Sequence, residues 1–431
     1  MKIAIIGGGP AGMAAAYGAK MSCSADVVII ERNQYLGGVL PQCIHNGFGT
    51  QLYNEDYTGG EYAAIWEDKI RQIGVEVLTG TTVMNMKKGW NIKCVNALNG
   101  AINIGADVVI VATGCRERTL PQMRIPGSRP AGIFTAGSAQ LMMNVKNFMP
   151  GKSAVILGSG DIGLIMARRM TLEGVNVKMI LGEKSTGLAR NIVQCVEDFQ
   201  IPMRYGWTLV STHGYARLKG VNIAPTDDEG KPILSKKEYI HCDTLLVATG
   251  LIPETEIFEP YKKENGIFFC GNANKVHDLV DNVTCEALKT AWKTAKSLDK
   301  KAVMPKEIEE AISFSSKETK GQAKGNMICT ICPKSCIMHV DTRKFKVSGN
   351  QCDRGYDFAK QEFENPQRVV TTVVKAKNGL LSVKTQGTVD KKEILEVIKA
   401  AKKVKAKGPI KIGEVIKAGK YNLLATKNIE E

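Results

Sequence analysis

Short apolar runs without polar interruption mark the first 300 residues of the chain, and the strongest of them run into glycine. Lys2-Ile3-Ala4-Ile5-Ile6 is the first, with the pattern of a strand buried on both faces. It leads into Gly7-Gly8-Gly9-Pro10-Ala11-Gly12 and a small-residue stretch, Met13 to Ala16, that predicts a helix. A second apolar strand, Val27 to Ile30, closes on Glu31, nineteen residues beyond Gly12. Strand, glycine turn, helix, strand and acid make up a dinucleotide fingerprint. The glycines allow a tight turn and close backbone approach to a pyrophosphate, the helix N-terminus favours its charge, and Glu31 can accept from a ribose hydroxyl.

The same pattern recurs. Ser153 to Leu157 is a second apolar strand, followed by Gly158-Ser159-Gly160-Asp161-Ile162-Gly163 and a helix to Glu173. Two further buried strands end alike in Ala-Thr-Gly, at Ala112-Thr113-Gly114 and Ala248-Thr249-Gly250. Helices are predicted over Tyr62 to Ile73 and Asn282 to Leu298, with one more short strand at Gly266 to Asn272. Residues 300–326 turn polar and lose apolar periodicity, which predicts a linker. Beyond them, alternating runs and a lysine-rich helix (Lys391 to Lys403) predict a small module. The expected fold class is α/β: two Rossmann-like dinucleotide-binding domains, the second inserted in the first, plus a small C-terminal α+β module. The expected boundaries are 1–118 with 245–299 for the first domain, 119–244 for the second, 300–326 for the linker and 327–431 for the module.

Charge and cysteines refine this picture. Of the net charge of +15, residues 301–431 carry most, with 26 Lys and Arg against 15 Asp and Glu. That is either a solvated lysine-rich face or a surface for an acidic partner or a membrane. It brings no nucleic-acid motif with it. The chain opens on a core strand without a basic-then-apolar leader, and holds no apolar run of membrane-span length, so the expected location is cytoplasmic, or peripheral at the inner face of a membrane. Of the twelve cysteines, Cys329, Cys332, Cys336 and Cys352 are spaced C-x2-C-x3-C-x15-C. Three close thiolates and one remote thiolate suit a 4Fe-4S cluster. Structural zinc is the alternative, although its ligands more often come as two separated C-x2-C pairs. The other eight, Cys23, Cys43, Cys94, Cys115, Cys195, Cys242, Cys270 and Cys285, are expected to be small packed residues.

The paired glycine motifs and paired Ala-Thr-Gly strands resemble the two-dinucleotide-domain flavoproteins of the pyridine nucleotide-disulfide reductase superfamily, over residues 1–299. The segments Gln42-Cys43-Ile44-His45-Asn46-Gly47-Phe48-Gly49, Ala112-Thr113-Gly114-Cys115-Arg116-Glu117-Arg118 and Val276-His277-Asp278-Leu279-Val280-Asp281 are similar to the branch associated with anaerobic glycerol-3-phosphate dehydrogenases. The C-terminal part resembles a small domain of unknown function found with that branch. The cysteine spacing also resembles the N-terminal cluster segment of molybdopterin oxidoreductases.

The resemblance implies FAD on the first unit, with Gly7, Gly9 and Gly12 at the pyrophosphate, Glu31 at the ribose, and Gly114, Gly271 and Asn272 nearby. Asn272 stands where the superfamily usually has Asp, and keeps hydrogen-bonding capacity. The second unit is implied to hold NAD(P)H at Gly158, Gly160 and Gly163. There the acid expected at the strand end is replaced by Leu181-Gly182, so either Glu183 reaches the ribose, or Lys184 and Arg190 meet a 2'-phosphate, or the site is vestigial. Cys43 and His45 are implied to lie by the flavin. Each, like His277, has packing in a loop as its alternative. A dithiol reductase needs an attacking and a resolving thiol, and the segment around Cys43 offers one cysteine, so disulfide reduction is not expected.

The expected function is an FAD-dependent oxidoreductase that passes electrons between NAD(P)H, or a glycerol-3-phosphate dehydrogenase-like partner, and the cluster. Two other classes stay open: a stand-alone flavin dehydrogenase of a small amine or hydroxy acid, and a structural or sensing FAD subunit with zinc in the cysteine site.

Overall fold

A computed structural model describes residues 1–313, 318, 320, 327–341, 345–377 and 379–430. The chain divides into two compact units, Met1–Arg116 with Leu251–Ser316, and Glu117–Gly250 with Lys317–Glu431.

The first unit is built on a five-stranded parallel sheet in the order Ile267–Phe269, Val108–Val111, Lys2–Ile6, Asp26–Ile30, Glu76–Leu78. Ile3 to Ile6 and Val108 to Val111 are buried throughout, as uninterrupted apolar runs require when helices or strands cover both faces. One face packs on α1 (Pro10–Ser22), whose alanines allow close approach, and on α2 (Gly59–Gln72). A reciprocal capping box between Thr58 and Glu61 starts α2, satisfying donors that a helix N-terminus otherwise leaves open. The other face packs on a three-stranded antiparallel sheet, Thr81–Lys87, Asn91–Asn96 and Gly100–Gly105.

The second unit repeats this plan. Its parallel sheet runs Ile133–Thr135, Thr244–Val247, Ser153–Leu157, Asn176–Gly182, Met203–Tyr205, with α3 (Ala136–Asn144), α4 (Asp161–Leu172) and α5 (Ala189–Cys195). Here too a three-stranded antiparallel sheet is inserted, Trp207–Gly214, Leu218–Pro225 and Glu238–His241. The strand Thr244–Val247 pairs with Ser153–Leu157. This strand therefore completes the second sheet, and residues up to Gly250 stay with the second unit, against the expected return to the first domain at 245. Apolar runs of equal length at the ends of two repeats look alike in sequence, and only pairing assigns them.

The first unit closes with α6 (Val280–Leu298) and α7 (Lys306–Ser313). α7 falls in the expected linker, but Ile308 is buried in the first core. Glu307 accepts from Tyr17 Oη at 2.9 Å and pairs with Lys69, whose ammonium lies over the rings of Tyr17, Tyr53 and Trp66. Ala311 and Ile312 pack against the same core, so a few apolar contacts and one acid dock a two-turn helix too short to register as periodicity. The rest of the expected linker lies partly outside the described residues.

The C-terminal module belongs to the second unit. Its four-stranded antiparallel sheet, Thr371–Ala376, Gly379–Thr385, Tyr421–Ala425 and Val415–Ala418, packs on a helix over Ile394–Ala401. The shared core takes in Leu172 of α4. Part of the basic excess is spent on this junction: Lys402 pairs with Glu173 at 2.9 Å, Lys391 with Asp198 at 2.5 Å, and buried Arg368 with Asp198 and Glu362. Among the described residues, no helix is long and apolar enough to cross a membrane.

Candidate functional site

The first glycine turn is shaped by two contacts that no side chain could share. A Cβ on Gly7, whose φ is +107°, would fall 2.4 Å from Ala112 O, and one on Gly12 would fall 1.8 Å from Gly7 O. The N-terminus of α1 carries no side-chain cap. Around Gly9 the nearest atom to a Cβ is Gly38 Cα at 3.8 Å, and around Gly114 nothing lies within 4 Å. Glu31 is 4 % exposed. Its Oε2 accepts from Gly8 N and its Oε1 from Asn33 N, both at 2.7 Å, and each carboxylate oxygen keeps a lone pair for a further donor. Uncapped amides, uncovered backbone and a fixed acid are what a dinucleotide needs, and these residues fit FAD.

The return of the chain brings Gly271 against α1, where a Cβ would lie 2.6 Å from Ala11 Cβ. Asn272 then links three segments. Its Nδ2 donates to Cys115 Sγ at 3.6 Å, and its Oδ1 accepts from His277 N at 2.9 Å. His277 Nε2 meets Glu286 Oε2 at 2.5 Å, while Asn274 Nδ2 donates to Glu286 Oε1 at 2.5 Å. Burial works against the Glu286 charge, but bonds from His277, Asn274 and the Gly271 backbone hold its carboxyl below the usual range.

Cys43 ends a short 3-10 turn, Leu40–Gln42. Burial pushes its thiol up to about 12, so it stands protonated near neutral pH and is not an activated nucleophile. His45 stacks on Phe48 with ring centroids 5.2 Å apart. The loop beyond it is tied to α6 by Asp281, whose Oδ2 accepts from Gln51 N at 3.2 Å. Burial raises the Asp281 carboxyl to about 6, against the pull of backbone N–H groups from Gln51, Gly49 and Leu52.

The second turn copies the backbone of the first. A Cβ on Gly158 would fall 2.1 Å from Ala248 O, and one on Gly163 would fall 2.4 Å from Gly158 O. Past the second strand the two units differ. Ser159 Oγ donates to Lys184 O at 2.6 Å, Gly187 N donates to Ser159 O at 3.0 Å, and Asp161 Oδ1 accepts from Leu188 N and Asn191 Nδ2, both at 2.8 Å. The segment 182–188 is thereby strapped to the turn. Glu183 is exposed, and its Oε1 lies 3.3 Å from where a Gly230 Cβ would be. It faces the hairpin around Gly230. Gly160 keeps an open face, with Thr186 Oγ1 at 3.8 Å from a Cβ. Arg190 is buried, its backbone N donating to Ser335 Oγ and its guanidinium to Ile331 O, which commits it to the cysteine segment.

In that segment Cys329 and Cys336 are buried, Cys332 half-buried and Cys352 exposed. Cys329 N donates to Cys336 O at 3.0 Å, and Cys352 stands at the N-terminus of the helix Asp353–Glu364. Burial pushes the Cys329 thiol up to about 11, and the other three thiols of the set add to this by proximity. The donor chemistry thus suits a thiolate-bound metal. The arrangement does not, since among the described residues no group of three or more His, Cys, Asp or Glu side chains is disposed to hold a metal ion.

The family described as pyridine nucleotide-disulphide oxidoreductase matches residues 1–274. The chain belongs to that family. A protein family of unknown function, DUF1667, matches residues 353–427, beginning one residue past Cys352, so the cysteine segment precedes it. Similar curated proteins are the hydrogen cyanide synthase subunit HcnB of Pseudomonas protegens, 26 % identical over 67 % of this chain and 62 % of its own, and an opine oxidase subunit from Agrobacterium tumefaciens, 29 % identical over 45 % of this chain and 39 % of its own. The chain therefore spans less than two thirds of either relative. Thioredoxin reductase of T. acidophilum shares the fold, with a TM-score of 0.54 at 19 % identity over 69 % of this chain and 98 % of its own. The likeness to the glycerol-3-phosphate dehydrogenase branch is not among these findings.

The sequence points to His277 but not to its partners: Asn274 ends the turn after Gly271, and Glu286 lies on the inward face of α6, which is set by packing. The available signal was a histidine shortly before an amphipathic helix with an acid two turns in. Cys115 is likewise expected from sequence to be simple packing, whereas it accepts from Asn272.

Proposed function

We propose that the chain is an FAD-dependent oxidoreductase that serves as an electron-transfer subunit. FAD sits on the first turn (Gly7, Gly9, Gly12, Glu31, Gly114, Gly271, Asn272), and NAD(P)H on the second (Gly158, Gly160, Gly163). The observation that carries this reading is the pair of glycine turns with matching close backbone contacts, each with an open face at its central glycine. A bound flavin supplies the exchange between hydride and single electrons. This chain's residues bind and orient it, with Glu31 fixed by two backbone amides and Cys43 and His45 shaping the loop beside it. The strapped loop and the outward Glu183 favour weak discrimination between NADH and NADPH.

The reading includes a partner dehydrogenase, glycerol-3-phosphate dehydrogenase-like, since HcnB and the opine oxidase relative are both subunits by name. It extends to a 4Fe-4S cluster on Cys329, Cys332, Cys336 and Cys352, on the strength of their C-x2-C-x3-C-x15-C spacing alone, and requires these side chains to rearrange, since they are not disposed to hold a metal as they stand. It leaves out disulfide reduction, because the segment around the half-buried Cys43 offers no second cysteine as resolving thiol.

The test is an anaerobic titration of purified, cluster-reconstituted protein with NADH and then NADPH, following flavin absorbance and low-temperature EPR. Flavin bleaching with a reduced-cluster signal is the expected result. Reduction by dithionite but by neither nucleotide removes the nicotinamide donor, and a sample without iron signal removes the cluster.

A further inference from the structure

The pair His277 and Glu286 is a built arrangement that no role assigned above uses. Glu286 is held ionised, as its lowered carboxyl range shows, and it therefore accepts from His277 Nε2. An imidazole whose Nε2 carries the proton presents an unprotonated Nδ1 when neutral. The carboxylate fixes the ring and its tautomer, as an acid behind a catalytic histidine does. The ring is anchored a second time, since its own backbone N donates to Asn272 Oδ1. The side chains are 17 % and 21 % exposed, so the pair is partly sheltered but not sealed from solvent.

We propose that His277, oriented by Glu286, is the proton-transfer residue of the first dinucleotide site. The proposal rests on the FAD reading of that site, for which Gly271 and Asn272 form the neighbouring turn. With FAD bound, full reduction by NAD(P)H would take one hydride and one further proton: FAD, NAD(P)H and a proton would give FADH2 and NAD(P)+. When the two electrons leave singly to an acceptor, two protons must depart. His277 as imidazolium gives the incoming proton from Nδ1, is left neutral with its Nε2 proton still on Glu286, and regains its proton from solvent. On oxidation the neutral ring takes protons back in turn and passes them out.

The titratable groups around the pair are few. Glu286 faces the ring from α6, and Lys275 and Asp278 flank it in the chain. Cys115 lies across Asn272, and the Cys270 thiol is pushed up by burial and by the Glu286 charge. The Cys270 thiol therefore does not compete for a proton near neutral pH.

The experiment uses the full chain with five histidines, few enough to resolve by 15N NMR of the rings. In wild type the neutral His277 ring is expected to carry its proton on Nε2, and Glu286→Gln is expected to loosen that preference. In stopped-flow mixing of the FAD-loaded chain with NADH, His277→Gln is expected to slow flavin reduction about 100-fold and to remove one ionisation from its pH profile between 5 and 8. His277→Asn serves as the second variant, with thermal melting reporting its fold. A neutral ring protonated on Nδ1, or a folded His277→Gln with the wild-type pH profile, overturns the proposal. A chain that takes up no FAD overturns the flavin reading instead, and the NMR arm still judges the pair.

Discussion

The two dinucleotide units share strand order, glycine turn and inserted antiparallel sheet, and diverge within a few residues of the second strand's end. In the first unit that strand ends on Glu31, 4 % exposed and bonded to Gly8 N and Asn33 N. In the second it runs on into Gly182, and the space an acid would occupy holds Ser159 Oγ, bonded to Lys184 O. A methyl group on Gly182 would fall 2.4 Å from that oxygen. Similar turn geometry thus supports two different surfaces. The turn is dictated by steric exclusion at Gly7 and Gly158, whereas ligand preference depends on one side chain at the strand end.

The units also differ in how they treat a buried acid. Asp198 of the second unit is met by Arg368 and Lys391. Asp281 of the first is met by backbone amides and, among the described residues, by no cation, and its Oδ1 has no hydrogen-bond partner among them. The largest expected effect comes from breaking the paired case. Arg368→Ala leaves Asp198 and Glu362 without their bidentate partner and is expected to cost about 3–5 kcal/mol. Chemical denaturation should then show the C-terminal module melting ahead of the rest.

The unpaired case gives the next effect, with a defined pH window. Because the Asp281 carboxyl is raised from 3.8 to about 6 in the fold, the native state binds the extra proton. Its contribution to stability is present at low pH and is lost as pH rises from about 4 to 6, by about 2–3 kcal/mol in all. Asp281→Asn has no such titration. A denaturant midpoint measured across that window should fall in wild type and stay flatter in the variant; parallel curves would contradict the unpaired state of Asp281.

The strand-end acids themselves sharpen the comparison further. Glu31→Gln can serve only one of two backbone donors, which costs about 1–3 kcal/mol and should release FAD on desalting, read from the flavin absorbance retained. Glu183→Gln, at an exposed position facing Gly230, should change stability by less than about 0.5 kcal/mol and leave the NADH concentration dependence of flavin reduction near that of wild type. A large rise in the NADH requirement of Glu183→Gln would instead put Glu183 at the ribose.

Much of the first unit was legible because its signals are local. The run Lys2 to Ile6, the turn Gly7 to Gly12 and the acid Glu31 are tied together by sterics and hydrogen bonds within 32 residues of chain. The assignment of residues 245–250 failed because two Ala-Thr-Gly strands are interchangeable in pattern, and the pairing with Ser153–Leu157 decides between them. α7 was hidden because it is only two turns long, docking through buried Ile308, half-buried Ala311 and Ile312, and the acid Glu307. The cysteine spacing was plain, but spacing fixes only reach along the chain, and the exposure of Cys352 beside a buried Cys329 follows from where the helix Asp353–Glu364 begins.

By itself, the sequence determined the two glycine turns, the buried parallel strands and the absence of an acid after Leu181, since each depends on residues adjacent in the chain. Only the tertiary structure decided that Glu286 sits behind His277, that Asp198 receives Arg368 from 170 residues away, and that the loop after Leu181 is strapped to the second turn. Those arrangements join charges and amides from separate segments. A one-dimensional pattern carries no information about which buried group meets which, because desolvation and hydrogen-bond geometry are settled only when the cores are packed.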